Sequence, residues 1–265
     1  MPARRPGPRT DRRGGGRLLI AAAAGVALMA TGLALAALPA GGSPQVAPGR
    51  APVSRPVPGD GLAQAQDAIA SSPMPSLPLA SATPGPVSTR DPGTPIVLPP
   101  CPEIGPAGVA TGCPHTREGA MAQLAAIDQA ALQSGTMAGA RAVIAGWAQP
   151  GGPTTTTWSG ISAMASLLGD GRVSAGSAVP VVVTPLMGLF KGQVGADFVV
   201  PCIDFEFDLT LARTARVGAA DCQRMVWTGD RWMIGPGPEP VQSANVWPDT
   251  EAAINLGYRD LSWQH

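Results

Sequence analysis

The sequence predicts an α+β domain in which about three helices pack on an antiparallel sheet, carried behind one apolar helix and a disordered stalk. Three observations predict this arrangement. An uncharged apolar run over residues 18–38 precedes a stretch rich in proline, glycine and alanine that ends near residue 113. Apolar residues then recur at helical spacing, and from residue 178 they recur at every second position. Helices followed by consecutive strands with short connections are typical of an α+β architecture.

The apolar run over residues 18–38 is long enough to cross the ~30 Å hydrocarbon core as a helix. Six arginines lie in the basic tail of residues 1–17, and no Arg or Lys follows until Arg50. This asymmetry predicts a single-pass membrane protein with a cytoplasmic N-terminus and an extracytoplasmic C-terminal domain. The alternative is a signal peptide cleaved near Ala34-Leu35-Ala36, which would release a secreted protein.

Residues 39–113 are rich in Pro, Ala, Ser and Gly and show no sustained apolar period. Such a segment buries too little apolar surface to offset the entropy cost of ordering it. We therefore expect an extended stalk, in which a short helix over Gly61–Ser71 is the only ordered element.

The distal domain is predicted over residues 114–240, and a tail follows over residues 241–265. Three helices are predicted, over Thr116–Ser134, Met137–Ala148 and Thr155–Leu168, and Thr116 is placed to cap the first. The tryptophans are assigned to the core: Trp147, Trp158, Trp227 and Trp232.

Strands follow the helices, and the last two are joined by a hairpin turn at Thr228-Gly229-Asp230. The strand over 178–194 is expected to break at Pro185, and the tail is expected to carry a short helix over Thr250–Gly257. The predicted strand ranges are 178–184, 186–194, 196–211, 216–227 and 231–234.

All four cysteines lie beyond the apolar run, and outside a membrane an even number favours disulfides. Three pairings are possible, of which we prefer Cys101–Cys113 and Cys202–Cys222. The second pair would join neighbouring strands, where opposed positions meet the distance that a disulfide needs. A metal site at Cys101, Cys113 and His115 fits no common zinc spacing.

The stretch Asp204-Phe205-Glu206-Phe207-Asp208 alternates carboxylates with phenylalanines. In a strand, one face then carries the aromatic rings and the other carries the acids. Arg216 and Arg224 are expected on the same face of the next strand, where they would pair with the carboxylates. This acidic face, defined by Asp204, Glu206, Asp208, Arg216 and Arg224, is predicted to be a solvated sheet surface. The alternatives are a partner-binding surface, a cation site or a pair of catalytic carboxylates.

Composition argues against several function classes. The 18 basic and 18 acidic residues give a formal net charge of +0, so direct nucleic-acid binding is not expected. Two histidines (His115 and His265) and one tyrosine (Tyr258) leave few groups for acid–base chemistry. No nucleophilic triad or phosphate-binding glycine loop stands out. We therefore expect no catalytic residue, cofactor or metal, and no enzymatic activity.

Three stretches carry a resemblance to a known family: PHTREGA (114–120), VVPCIDFEFDLTL (199–211) and CQRMVWTGDRWMIGPGP (222–238). They are similar to exported proteins of actinobacterial mobile elements. The order of basic tail, membrane helix, stalk, helices and antiparallel strands resembles the bitopic VirB-type scaffold of type IV secretion and conjugation. The resemblance implies a cone-like, nuclear-transport-factor-like fold with a curved sheet. It also implies a hairpin over Trp227–Ile234 that closes the fold.

The same resemblance implies a non-enzymatic, membrane-anchored scaffold that binds other membrane or envelope proteins and forms homo-oligomers. The alanine-, glycine-, proline- and arginine-rich composition, with Lys191 as the only lysine, is typical of a high-GC bacterium. Two other functions remain open. One is an exported small-molecule-binding module or enzyme that uses a pocket inside the cone. The other is a cell-envelope accessory protein unrelated to transfer.

Overall fold

The computed structural model describes residues 60–169, 178–210 and 214–264. The basic tail, the apolar run of residues 18–38 and the first part of the predicted stalk lie outside the described residues. Among the helices that are described, none has both the length and the apolar character needed to cross a membrane.

The described residues form an α+β domain with a curved, mainly antiparallel sheet. The helices are α1 (Asp60–Ser71), α2 (Arg117–Gln133), α3 (Met137–Trp147), α4 (Ser159–Leu168) and α5 (Glu251–Asn255), with 3₁₀ turns at Leu79–Ala82 and Pro106–Gly108. The strands are β1 (Ile96–Leu98), β2 (Glu103–Ile104), β3 (Ala110–Thr111), β4 (Val181–Val194), β5 (Phe198–Thr210), β6 (Thr214–Cys222), β7 (Met225–Trp227), β8 (Trp232–Ile234) and β9 (Arg259–Trp263).

Helices α2, α3 and α4 correspond to the three predicted helices. Thr116 caps α2 as expected, because its side-chain oxygen accepts a hydrogen bond from the Gly119 amide. Helix α4 begins at Ser159, four residues later than predicted, because residues 154–157 form a turn closed by threonine hydroxyls. The three helices cover one face of the sheet, and the main core lies between them.

The sheet has the order β1-β9-β4-β5-β7-β8, and β6 also pairs with β5. The prediction that Pro185 ends a strand is wrong. Strand β4 continues through this position, where the register shifts between Pro185 and Met187. A bulge of this kind accommodates a residue that has no amide hydrogen to give to the ladder. The predicted strand over 216–227 is instead two strands, because Gln223 and Arg224 interrupt it.

The predicted stalk ends much earlier than residue 113. Helix α1 matches the predicted short helix, but the expectation of no further order is wrong for residues 72–113. Strand β1 pairs in parallel with β9, and its residues Ile96 and Leu98 are buried in the core. The ring nitrogen of Trp147 donates a hydrogen bond to the Pro106 carbonyl. A few buried residues in a proline-rich stretch therefore suffice to hold it on the domain, although its composition favours an extended chain.

Two cationic side chains, Lys191 and Arg224, attach helix α1 to the rest of the domain. The Lys191 ammonium group donates hydrogen bonds to the carbonyls of Ala70 and Ser72, at the C-terminal end of α1, and to the Val241 carbonyl. A cation at this end also interacts favourably with the helix dipole. The Arg224 guanidinium lies 2.8 Å from the Asp67 carboxylate on the same helix.

The tail after residue 240 covers the second face of the sheet. Val246 and Tyr258 are fully buried there against Met187 and the Cys202–Cys222 disulfide. The backbone of Val246 approaches β6 at Gly218, where a side chain would collide with the Val246 carbonyl. The sheet is therefore covered on both faces in this region, whereas the sequence predicts that one face is solvated.

Candidate functional site

The structure contains both preferred disulfides, Cys101–Cys113 and Cys202–Cys222. Cys202 and Cys222 are directly opposite each other on β5 and β6, and both are fully buried. Disulfides form and persist in oxidising compartments. Two of them in one domain indicate an extracytoplasmic location.

The alternation predicted for DFEFD is present in β5. Ile203, Phe205 and Phe207 lie in the core beneath the helices. Cys202 lies in the opposite cluster, which the tail covers. Strand β5 pairs with β6 without a register shift, so the alternation of side chains between the two faces is not interrupted over residues 202–210.

Asp204 is not a solvated carboxylate. Its exposed fraction is 0%, and neither carboxylate oxygen has a hydrogen-bond partner. Burial raises the pKa of Asp204 well above its usual value, and the nearby charge of Asp249 raises it further. Both effects favour the protonated form of this carboxyl group. The prediction failed here because residues far away in the sequence cover this end of the acidic face.

Glu206, Asp208 and Arg216 form the part of the acidic face that remains accessible. Arg216 is opposite Asp208 on the neighbouring strand, and its guanidinium pairs with both carboxylates. The same guanidinium lies 4.9 Å from the centre of the Trp247 ring. The cross-strand pairing predicted for Arg216 is therefore present, and it partly neutralises the acids from within the domain.

Arg224 does not belong to this face. It lies in the break between β6 and β7, is 5% exposed, and pairs with Asp67 of α1. Its guanidinium also lies 5.3 Å from the centre of the Phe198 ring. The prediction assumed that side chains alternate between the two faces of one strand through residue 224. Strand β6 ends at Cys222, so the alternation does not determine where Arg224 points.

A second polar cluster, absent from the sequence prediction, lies where α4 begins. Its members come from α2, α4, β6, the break between β6 and β7, and the residues after β8. We call it the carboxyl cluster: Asp128, Ser159, Asp221, Gln223 and Glu239. The Ser159 hydroxyl lies 2.9 Å from an Asp221 oxygen and 2.7 Å from a Glu239 oxygen. The Gln223 amide nitrogen lies 2.9 Å from Asp221 and 2.8 Å from Glu239.

Two carboxyl groups of this cluster, Asp128 and Asp221, have raised pKa values. Burial raises the pKa of Asp221 to about 7, and the charge of Glu239 contributes, while hydrogen bonds from Gln223 and Ser159 oppose the shift. Burial also raises the pKa of Asp128 well above its usual value, and the charges of Asp221 and Glu239 add to this effect. Raised carboxyl pKa values of this kind are frequent at functional sites.

A surface cleft of about 480 Å³ lies beside the cluster and is lined by Gly151, Gly152, Pro153, Thr157, Gly237, Pro238 and Glu239. Glu239 is the member of the cluster that reaches this cleft. Asp221 is buried, and Ser159 is partly buried and is not among the residues that line this cleft. The cluster joins elements of the fold through a shared polar network.

The described residues contain no group of three or more His, Cys, Asp or Glu side chains placed to hold a metal ion. The Cys101 and Cys113 sulfur atoms are bonded to each other. His115 stacks on Trp227, and its ring nitrogen lies 2.8 Å from an Asp197 oxygen.

Part of the carboxyl cluster has a signal in the sequence. Asp128 follows Ile127 and lies four residues after Leu124 on the apolar stripe of α2, a position where a carboxylate is unusual. Asp221 is adjacent to Cys222 and therefore points toward the helix-covered face, opposite Ile203. Glu239 has no such signal, since its position depends on how the chain returns after β8.

No protein-family model, curated protein or solved structure matches the chain.

Proposed function

We propose that this protein is a non-enzymatic, membrane-anchored scaffold whose exported domain helps to assemble a conjugation or type IV secretion-like machine. In this proposal residues 18–38 span the membrane, and the domain belongs to the cone-like, nuclear-transport-factor-like class. Its partners are other envelope proteins and further copies of the same chain.

The filled interior of the domain is the observation that carries the proposal. Trp147, Trp158 and Trp232 are fully buried between the helices and the sheet, together with Phe205. These large side chains fill the space between the helices and the sheet. This packing favours a role in protein assembly over a role in binding or converting a small molecule inside the cone.

The two disulfides support the extracytoplasmic side of the proposal. A domain that functions outside the cytoplasm gains stability from them without needing a larger core. One joins the ends of the segment that carries the β2–β3 hairpin, and the other joins the neighbouring strands β5 and β6.

Co-purification from membranes tests the proposal. The full chain would be tagged at its C-terminus, cross-linked in cells and recovered from solubilised membranes. We expect envelope proteins of a transfer machine, and further copies of this chain, to be recovered. A chain ending at residue 59 is the matched control, because partners that it retains bind the anchor or the stalk and not the domain.

A deletion strain separates the scaffold from an unrelated envelope protein. Loss of DNA transfer or secretion on deletion, restored by the full chain, is the result that we expect. Normal transfer in the deletion strain, or a domain that neither self-associates nor retains any transfer protein, contradicts the proposal.

A further inference from the structure

We propose that the carboxyl cluster is a proton-held latch, which fastens the start of α4 to residues 235–240 and weakens when its shared proton leaves. This inference is independent of the scaffold role. It concerns the joint between the helical layer and the chain segment that follows β8.

The Ser159 hydroxyl has too few hydrogen atoms for two ionised carboxylate neighbours. Its hydroxyl lies within hydrogen-bond distance of both Asp221 and Glu239 but has one hydrogen to donate. If both carboxyl groups were ionised, one of the two short oxygen–oxygen contacts would have no hydrogen between its atoms. A proton on Asp221 removes this conflict, because Asp221 then donates to Ser159 while Ser159 donates to Glu239.

The Gln223 amide does not replace the missing hydrogen. Its amide nitrogen lies within hydrogen-bond distance of Asp221, Glu239 and the Ser159 hydroxyl, so three acceptors already share its two hydrogens. The side chain is fully buried. Its carbonyl oxygen has no partner. The site therefore offers an additional acceptor for a proton and no additional donor.

Asp128 supplies a second, independent observation. This carboxyl group is 1% exposed, and neither of its oxygens has a hydrogen-bond partner. The charges of Asp221 and Glu239 also raise the pKa of Asp128, the acid that α2 contributes. An ionised carboxylate without a partner is costly to bury, so this group also favours a bound proton.

The charged groups around the latch come from each element packed against it. They are Asp128 from α2, Asp221 from β6 and Glu239 from the segment after β8, while α4 contributes the Ser159 hydroxyl and amide. Within the described residues, none of the three carboxyl groups forms an ion pair with Arg or Lys. Arg224, the cation next to Gln223 in sequence, pairs with Asp67 instead. Protons are therefore what balances the negative charge here.

Losing the proton affects two contacts in turn, the cap of α4 and the side of the adjacent cleft. Glu239 accepts hydrogen bonds from the Ser159 amide at both oxygens, and so caps the N-terminus of α4. The Gly237 amide donates to the Gly151 carbonyl, which closes one side of the adjacent cleft. Repulsion between ionised Asp221 and Glu239 loosens the cap first, and the cleft can then widen between residues 151–152 and 237–239.

Hydrogen exchange and urea unfolding of the full chain in detergent micelles, at pH values from 5 to 8, test the latch. We expect the unfolding equilibrium constant to rise between pH 5 and pH 7. Asp221 alone, with a folded pKa of about 7, contributes about 50-fold to this rise, because the unfolded state releases the proton that the folded state retains. Amide exchange, corrected for its intrinsic pH dependence, should increase first in residues 159–163 and 235–240. Asp221→Asn keeps the shape of the side chain and removes its titration, so the rise between pH 5 and pH 7 should be clearly smaller than in the wild-type chain. The pH dependence that remains comes from other buried acids, such as Asp128 and Asp204.

The exposed Glu103→Gln variant is the matched control and should retain the full pH dependence. Glu239→Gln provides a second variant if Asp221→Asn does not fold, and it should also reduce the pH dependence. A wild-type chain whose stability and local exchange are unchanged from pH 5 to pH 8 overturns the proposal. An Asp221→Asn chain with undiminished pH dependence does so too.

Discussion

Removal of the Cys202–Cys222 disulfide is the perturbation whose cost the structure defines best. The two residues are separated by 20 positions in the chain and join opposed positions of β5 and β6. Closing a loop of about this length in the unfolded chain is worth ~3 kcal/mol by the chain-entropy relation. Substitution of both residues by alanine also leaves a small space beside Met187, Val246 and Tyr258. We therefore expect the free energy of unfolding to fall by about 3–5 kcal/mol.

Thermal and urea unfolding of the Cys202→Ala/Cys222→Ala chain measure this cost, with an expected fall in melting temperature of ~6–15 °C. The Cys101→Ala/Cys113→Ala chain is the control. Its disulfide spans 12 positions and predicts a similar entropic cost, but it fastens only the β2–β3 hairpin. Its loss should therefore increase hydrogen exchange mainly in residues 101–113. A loss below about 1 kcal/mol for the Cys202/Cys222 variant would refute the reasoning.

Three further predictions concern single side chains. Lys191→Gln removes the cation that binds the last carbonyls of α1, so limited proteolysis should cut α1 at least ~10-fold faster while α2 remains protected. Asp204→Asn should be more stable than the wild-type chain at pH 7, with no difference near pH 3, as urea unfolding would show. Burial raises the pKa of Asp204 in the folded protein, so the wild-type protein loses stability as the pH rises above the pKa that this group has in the unfolded chain. A variant less stable than the wild-type chain at pH 7 contradicts this reasoning. Arg216→Ala should change the unfolding midpoint only slightly, because Arg216 and Asp208 are well exposed to solvent, although Glu206 is mostly buried; a large loss would show that the pair with Glu206 stabilises β6.

The local features of the fold are readable from the sequence. The helical spacing after residue 116, the capping threonine and the alternation in DFEFD each depend on neighbouring residues, and the structure contains all three. The cysteine pairing is also readable, because strand parity brings Cys202 and Cys222 to one face.

The order of residues 72–113 is not readable in the same way. Strand β1 has three residues, and it pairs with β9 more than 160 positions later. No local pattern distinguishes it from the surrounding prolines. The burial of Asp204 is hidden for a similar reason, because the covering tail has no apolar period that would indicate where it packs. The position of Glu239 beside Ser159 depends on packing between elements 80 positions apart.

The parallel pairing of β1 with β9 has a mechanical consequence. One strand lies early in the ordered domain and the other near its C-terminus, and they run in the same direction. A pull on the N-terminal side of β1, opposed by a pull on the C-terminal side of β9, draws the two strands along their length in opposite directions. The hydrogen bonds between them are then loaded together and do not open one after another. A domain held at its N-terminal side and pulled by a partner near its C-terminus would therefore resist tension best along this line.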